Sequence, residues 1–359
     1  MSLINSYKCI IFDDTMSPAF SERNVPVFCS TDDNFAPYCG VMLQSIIEHA
    51  SPAWNYDLIV LQCGLSDENH HRLSSLADGA DNITIRLYDV SEFILGKSFR
   101  HNDIYSLAIY YRLFAPSIFA EYDKIIYLDV DVVALSDIAE LYSENIGENW
   151  LGGCSDLGID GDAIQKSTIP YYINTIGVAD ISQYVNSGVL IMNTGQMRKY
   201  GVEQACIKAA ITHGFYDQDA LNHVCRGHIH YLDLEWNTFP ARGFENYLEP
   251  AKYKLWDEKK KHPRIIHYVG EKPWANPFSD MAVHWWQAAA RTPYYDELQL
   301  TLLHRLIGHV VHYKRDLWRY RVCRILSKLT FGKMKNRLAE RKRSLRRHLR
   351  LMRSIIEDK

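Results

Sequence analysis

The chain has little that would mark a secreted, membrane-spanning or dinucleotide-binding protein. Its eight cysteines (9, 29, 39, 63, 154, 206, 225 and 323) are scattered, with no Cys-x-x-Cys among them. That excludes the usual spacing of a zinc site or a disulfide framework and fits a reducing cytosol. No apolar run of about 18 residues is present to cross a bilayer. The opening MSLINSYKCIIFDDTM has neither a charged start nor a long apolar stretch, so no signal peptide is expected. A glycine-rich phosphate loop of the Rossmann or Walker type is also missing. Any phosphorylated ligand would therefore need a metal for most of its charge neutralisation. There is no internal repeat and no low-complexity segment.

What is present is apolar mass and an uneven charge. Hydrophobic residues make up 47% of 359, with 23 Tyr, enough for one large domain or two smaller ones. The formal net charge of −3 hides a basic tail: residues 312–353 hold 16 Lys and Arg against Asp316 and Glu340. Such a division marks a segment with its own partner. We read 1–22 as an N-terminal extension, 23–290 as the main domain and 291–359 as a basic helical region.

The organising stretch is Lys124-Ile125-Ile126-Tyr127-Leu128-Asp129-Val130-Asp131. An apolar run of strand length ends in two aspartates one residue apart, which alternation turns to the same side. Most such pairs are polar turns, but two carboxylates at a sheet rim also suit a divalent cation. The surrounding pattern favours the second reading. Val25–Thr31, Asp57–Cys63 and Asn82–Leu87 read as strands. Helices fall between them: one with apolar residues from Val41 to His49, one capped by Ser66 through Leu76, and an amphipathic one over Asp103–Phe114 closed by Pro116. This β-α-β-α-β-α-β rhythm predicts a parallel α/β sheet covered on both faces, whose ligands bind beyond the carboxyl ends of strands. Asp32–Asn34 and Asp129–Asp131 both stand at such ends.

Further along, Trp150–Ser155 reads as a strand ending at Asp156, and Val185–Thr194 opens on Asn186-Ser187-Gly188. Gly201–His213 is helical with Gly214 as its stop, Tyr216-Asp217-Gln218-Asp219 begins another helix, and Arg264–His267 is a short strand. Taken in order, Ser30-Thr31-Asp32-Asp33-Asn34, Tyr110-Tyr111-Arg112-Leu113, Tyr127-Leu128-Asp129-Val130-Asp131, Asn186-Ser187-Gly188-Val189, Asp217-Gln218-Asp219 and His267-Tyr268-Val269-Gly270 with Lys272-Pro273-Trp274 form a pattern. It resembles glycosyltransferase family 8, which includes bacterial lipopolysaccharide galactosyl- and glucosyltransferases and eukaryotic glycogenin.

The resemblance implies a GT-A fold, a Rossmann-like nucleotide-sugar-binding α/β domain over 23–290, acting with retention on a UDP-sugar. It implies Mn²⁺, with Mg²⁺ as the alternative ion, held by Asp129, Asp131 and His267; two carboxylates and an imidazole suit it. Ser30, Thr31, Asp32 and Asn34 match the uridine turn, and Gly270 and Lys272 the diphosphate contacts. The family has two residues between that glycine and lysine where this chain has Glu271 alone, which leaves the reach of Lys272 open. Arg112, Asp156, Asn186, Asp217 and Gln218 match the sugar-contacting set. Gln218 stands where a nucleophile would be needed for double displacement; an amide is a poor one, so front-face attack with Gln218 as stabiliser is expected, and Asp217 is the fallback nucleophile.

The implied reaction moves galactose or glucose to a glycan or glycolipid acceptor in lipopolysaccharide or surface-polysaccharide synthesis. A self-glucosylating glycogenin-like primer and a nucleotide-sugar-binding protein without turnover are the competing readings. For the tail, Trp318, Val322, Ile325 and Leu329 form one apolar stripe. Leu345, Leu349, Met352 and Ile356 form another, with Gly332 as the break. Basic residues around such stripes predict a helix lying on an anionic membrane surface, at the inner face of the cytoplasmic membrane, with no nucleic acid as partner.

Overall fold

The computed structural model describes residues 16–100, 106–162, 168–240, 248–329, 336 and 339–346. The chain divides after Tyr294 into two compact units. In the first, strands β1 (Asn24–Thr31), β2 (Asn55–Gln62), β3 (Ile83–Asp89) and β4 (Ile125–Leu128) lie parallel, in the order β3-β2-β1-β4. Past their first residue β1 and β2 are buried throughout. This explains why they read as continuous apolar runs with no alternation. Helices α1 (Ala36–His49) and α2 (Asp67–Ser74) make the crossovers; Ser66 caps α2, its Oγ accepting from Asn69 N at 3.3 Å.

Beyond β4 the sheet departs from the parallel rhythm. It continues as β7 (Val185–Met192), β6 (Leu151–Ser155) and β8 (Ile229–Tyr231), and β7 runs antiparallel to both β4 and β6. Local pattern gives strand positions and not directions, so only the assembled sheet reveals the reversal. Its consequence is geometric: the first residues of β7, Asn186 to Gly188, sit beside the end of β4. Asp129 N donates to Gly188 O at 2.8 Å. Aromatic rings of Phe28 and Tyr127, and of Phe28 and Phe119, pack at 4.9 Å beneath this end.

Immediately after Asp131 the chain forms β5 (Val132–Ala134), which pairs antiparallel with β9 (Ile265–His267) as a separate two-stranded sheet. Helix α3 (Val202–His213) packs on α4 (Asp217–Cys225), which in turn contacts β7, and α3 ends at Gly214 with φ +66°. The predicted Asp103–Phe114 helix differs. Residues 101–105 lie outside the described residues, Leu107–Phe114 is a 3₁₀ helix, and Pro116 sits in the first turn of a new short helix, Ala115–Ile118. Proline's missing N–H costs nothing there.

The second unit contains α5 (Tyr295–Leu329), a helix of 35 residues. Trp318 and Ile325 are exposed on it, at 65% and 57%. Gly332, Leu349, Met352 and Ile356 of the expected second stripe and break lie outside the described residues. Among the described residues no helix is long and apolar enough to cross a membrane.

Candidate active site

The pairing of β5 with β9 builds the centre of the site. The register sets Val132 opposite His267, so the histidine arrives beside the residue that precedes Val132. Tyr268 N donates to Asp131 O at 3.0 Å and His267 N to Thr238 O at 2.9 Å, which fixes the strand end. Asp129, Asp131 and His267 each then offer one ligand atom, all within 4.8 Å of one another. His267 Nε2 lies 3.2 Å from Asp131 Oδ1 and 3.8 Å from Asp129 Oδ2.

Gly188 makes room for this cluster. A Cβ there would stand 2.7 Å from His267 Nδ1 and 2.8 Å from Asp129 Oδ2, and would also overlap His267 Cε1. Burial alone would raise the Asp131 carboxyl, but His267 and Lys272 on its two oxygens outweigh that and hold it well below the usual carboxylate range. Lys272 Nζ donates to Asp131 Oδ2 and, at 2.6 Å, to Tyr268 O. The one-residue-shorter loop thus still brings the ammonium to the cluster.

Arg112, from the 3₁₀ helix, is buried and clamps Asp129. Its Nη2 donates to Asp129 Oδ1 at 2.7 Å, its Nη1 to Ser187 O at 2.7 Å, and its Nε lies 3.2 Å from Asp217 Oδ2. The guanidinium rests 4.0 Å from the ring centroid of Tyr127, whose hydroxyl also donates to Asp129 Oδ1, at 2.7 Å. Burial works against the Arg112 charge, but Asp129 and Asp217 outweigh it and push its pKa up. Asp217 is raised by burial, with Arg112 opposing.

Gln218 is fixed at both ends. Its Oε1 accepts from Ser187 N at 2.9 Å and its Nε2 donates to Asp156 Oδ2 at 3.0 Å. Asp156 also receives Asn186 Nδ2 at 3.0 Å, and its Oδ1 accepts from Ile159 N at 3.0 Å. Helix α4 is held over β7 by buried Asn222, whose Oδ1 accepts from Val185 N and whose Nδ2 donates to Val185 O, both at 2.8 Å. That docking sets Gln218 above Ser187.

A cavity of about 530 Å³ joins these parts. Of the residues expected from sequence, Ser30, Thr31, Asp32, Arg112, Asp129, Asp131, Asp217, Gln218 and Lys272 line it. His267, Asp156 and Asn186 are buried behind the wall, and Asn34 and Gly270 are exposed outside the lining. Ser30 Oγ is buried with no partner among the described residues. Asp32 Oδ1 accepts from Asn34 N at 3.0 Å and Phe35 N at 3.1 Å. A smaller cavity of about 310 Å³, bordered by Leu157, Leu232 and Leu255, is lined by none of these residues.

Sequence reasoning missed Tyr127 as a partner of Asp129, Asn222 as the pin of α4, and Asn237. The last accepts at Oδ1 from His267 Nδ1 at 2.9 Å. None carries a local signal, since each acts through a partner distant in the chain. Tyr172, Tyr184, Tyr216 and Trp274, which line the cavity, were likewise unassigned.

The family model for glycosyl transferase family 8 matches residues 26–277. The lipopolysaccharide 1,3-galactosyltransferase of Salmonella typhimurium (strain LT2) is 25% identical over 297 residues, covering 79% of this chain and 82% of that protein. Among solved structures, galactosyltransferase LgtC in complex with donor and acceptor sugar analogues superposes with a TM-score of 0.60 at 25% identity, over 75% of this chain and 96% of that one. The apo bifunctional glycosyltransferase WbbM gives a TM-score of 0.73 at 29% identity over 80% of this chain, which spans about half (53%) of the WbbM chain. The family match covers the sheet and every part of the cavity, and the chain belongs to glycosyl transferase family 8, a glycosyltransferase with the GT-A fold.

Proposed function

We propose that the chain transfers a hexose, galactose or glucose, from a UDP-sugar to a glycan or glycolipid acceptor, with retention and with Mn²⁺ or Mg²⁺. The observation that carries this reading is the Asp129, Asp131 and His267 cluster on a cavity that reaches both the Ser30–Asp32 turn and Gln218. These residues fit a divalent cation. Two carboxylates and an imidazole converge, and Gly188 leaves the space a side chain would fill. When bound, such an ion would neutralise the charge of the departing diphosphate.

The chain's own groups have the remaining roles. Ser30 Oγ, buried and without a partner among the described residues, calls for a polar ligand atom. Asp32 keeps Oδ2 for the uracil N3–H, with Thr31 and Asn34 beside it. Lys272 would move from Asp131 to the diphosphate, near Gly270. Arg112 holds Asp129 in place. Asp156 and Asn186 present Gln218 to the sugar, where its amide favours front-face attack over a covalent adduct. Asp217, paired with Arg112 and Ser187 Oγ, is the less suited nucleophile.

Residues 23–290 form the catalytic domain in this reading. The tail would lie on the anionic inner face of the cytoplasmic membrane, supported by its 16 basic residues over 312–353 and by exposed Trp318 and Ile325. That would bring a lipid-linked acceptor within reach, in lipopolysaccharide or surface-polysaccharide synthesis, as the name of the Salmonella relative suggests.

The test is a panel of UDP-sugars with Mn²⁺, Mg²⁺ or EDTA, scored for donor cleavage. Asp129→Ala, Asp131→Ala and His267→Ala should each lower the rate at least ten- to a hundredfold while the fold survives, the scale of even outer-shell losses at metal sites. Full activity in EDTA would overturn the proposal.

A further inference from the structure

The proton of His267 is placed by a backbone amide three hydrogen bonds away. A main-chain N–H can only donate. Gly188 N–H meets the Asn186 carboxamide at 2.9 Å, so the atom it meets is the oxygen Oδ1. The Asn237 atom 2.9 Å from that same oxygen must then be a donor, Nδ2. This leaves Asn237 Oδ1 facing His267 Nδ1 at 2.9 Å, an acceptor that only Nδ1–H satisfies. Nε2, the nitrogen turned to Asp129 and Asp131, is thereby the one whose lone pair a bound cation would take.

One residue earlier the same logic sets Gln218. Ser187 N–H meets Oε1, so Nε2 turns to Asp156 Oδ2, which Asn186 Nδ2 also reaches. Asn186, Asn237 and His267 are 6%, 4% and 3% exposed, so bulk water does not compete for these bonds. Two consecutive amides of β7 thus dictate the polarity of both halves of the site.

We propose that Asn237 is a positioning residue with two tasks. Through Oδ1 it keeps the proton on His267 Nδ1, so that Nε2 is ready for a cation. Through Nδ2 it fixes Asn186 and, by way of Asp156, the amide of Gln218. The first task rests on the cation-site reading above. Histidine ligands to metals generally need such an outer partner to set tautomer and ring orientation. The second makes Asn237 the link, among the described residues, between His267 and the Asn186–Asp156–Gln218 chain.

Two variants separate the tasks from a merely structural role. Asn237→Leu keeps the shape and removes both bonds; Asn237→Asp keeps the acceptor for Nδ1–H and loses the donor. Three readouts are taken on the full chain: the proton on His267 Nδ1 by ¹⁵N-histidine NMR without metal, Mn²⁺ affinity from the electron-paramagnetic signal of free ion, and kcat and KM for UDP-sugar cleavage. Asn237→Leu should lose the Nδ1–H tautomer and bind Mn²⁺ roughly ten- to a hundredfold more weakly. Asn237→Asp should keep the tautomer and bind Mn²⁺ at least as tightly as wild type, yet lose kcat about tenfold or more, on the scale of outer-partner losses.

Wild-type Mn²⁺ affinity and tautomer in Asn237→Leu would overturn the first task. Asn237→Asp weakening Mn²⁺ as much as Asn237→Leu would reduce the residue to a structural one. Unchanged kcat in Asn237→Asp would overturn the second task. A wild-type protein with the Nδ1–H tautomer that binds no Mn²⁺ would instead sink the cation reading, and the first task with it, while the kcat of Asn237→Asp still decides the second.

Discussion

Adding one methyl group at Gly188 should disable the metal cluster while leaving the strand intact. Gly188 lies in β7, where alanine is sterically permitted, so the backbone tolerates the change. The space does not. The new Cβ would stand 2.7 Å from His267 Nδ1 and 2.8 Å from Asp129 Oδ2, besides overlapping His267 Cε1. Neither neighbour can move freely, because His267 is tied to Asn237 and to β5, and Asp129 to Arg112 and Tyr127. Overpacking of this kind costs about 1–3 kcal/mol. The larger effect is on the ligand set, where displaced geometry should weaken the cation roughly a hundredfold, the upper end for perturbed metal surroundings.

Thermal denaturation with and without Mn²⁺ measures both. At a concentration of about a hundred times the wild-type Kd, the ion should stabilise wild type by ~2.7 kcal/mol, and a hundredfold weaker variant by ~0.4 kcal/mol. For a domain of this size these correspond to shifts of roughly 5–10 °C and about 1 °C. If Gly188→Ala gains as much from Mn²⁺ as wild type does, the steric argument is wrong.

Three further outcomes are expected. Gln218→Ala should lower kcat more than it raises KM for the donor, because a contact to a cationic sugar strengthens in the transition state; a covalent glycosyl adduct trapped in Gln218→Glu would instead support double displacement. Full-length protein should float with anionic liposomes at low salt and much less at high salt, whereas a chain ending at Val311 should stay behind and still cleave UDP-sugar; equal flotation of the two would remove the tail as the anchor. Burial raises the Glu203 carboxyl, against the Ser117 N–H and hydroxyl that donate to it. A carboxyl raised in the folded state binds its proton more tightly there, so its anion opposes folding at neutral pH and the penalty fades as pH falls through the raised value. Glu203→Gln should accordingly raise the neutral-pH thermal midpoint, with a gain that shrinks in acid, and a lowered midpoint at neutral pH would refute this.

By itself the sequence determined where the strands of the first half lie, that Asp129 and Asp131 close one of them, and that the charge is divided between the main domain and its tail. Those features are local: alternation, apolar runs and caps act over a few residues, and the Asp-x-Asp spacing is set by the pleat of a single strand. The ordered motifs were legible too, because each sits at a strand end or helix start where the surrounding site admits particular residues, as the tight space at Gly188 shows. Only the tertiary structure decided the direction of β7, which local pattern does not encode. That direction in turn brings Asn186, Ser187 and Gly188 against the end of β4. It also decided that Arg112 serves Asp129, that Asp156 serves Gln218, and that Asn237 serves His267. Each of these roles depends on which donor meets which acceptor within about 3 Å, across segments far apart in the chain, and no spacing along the sequence carries that information.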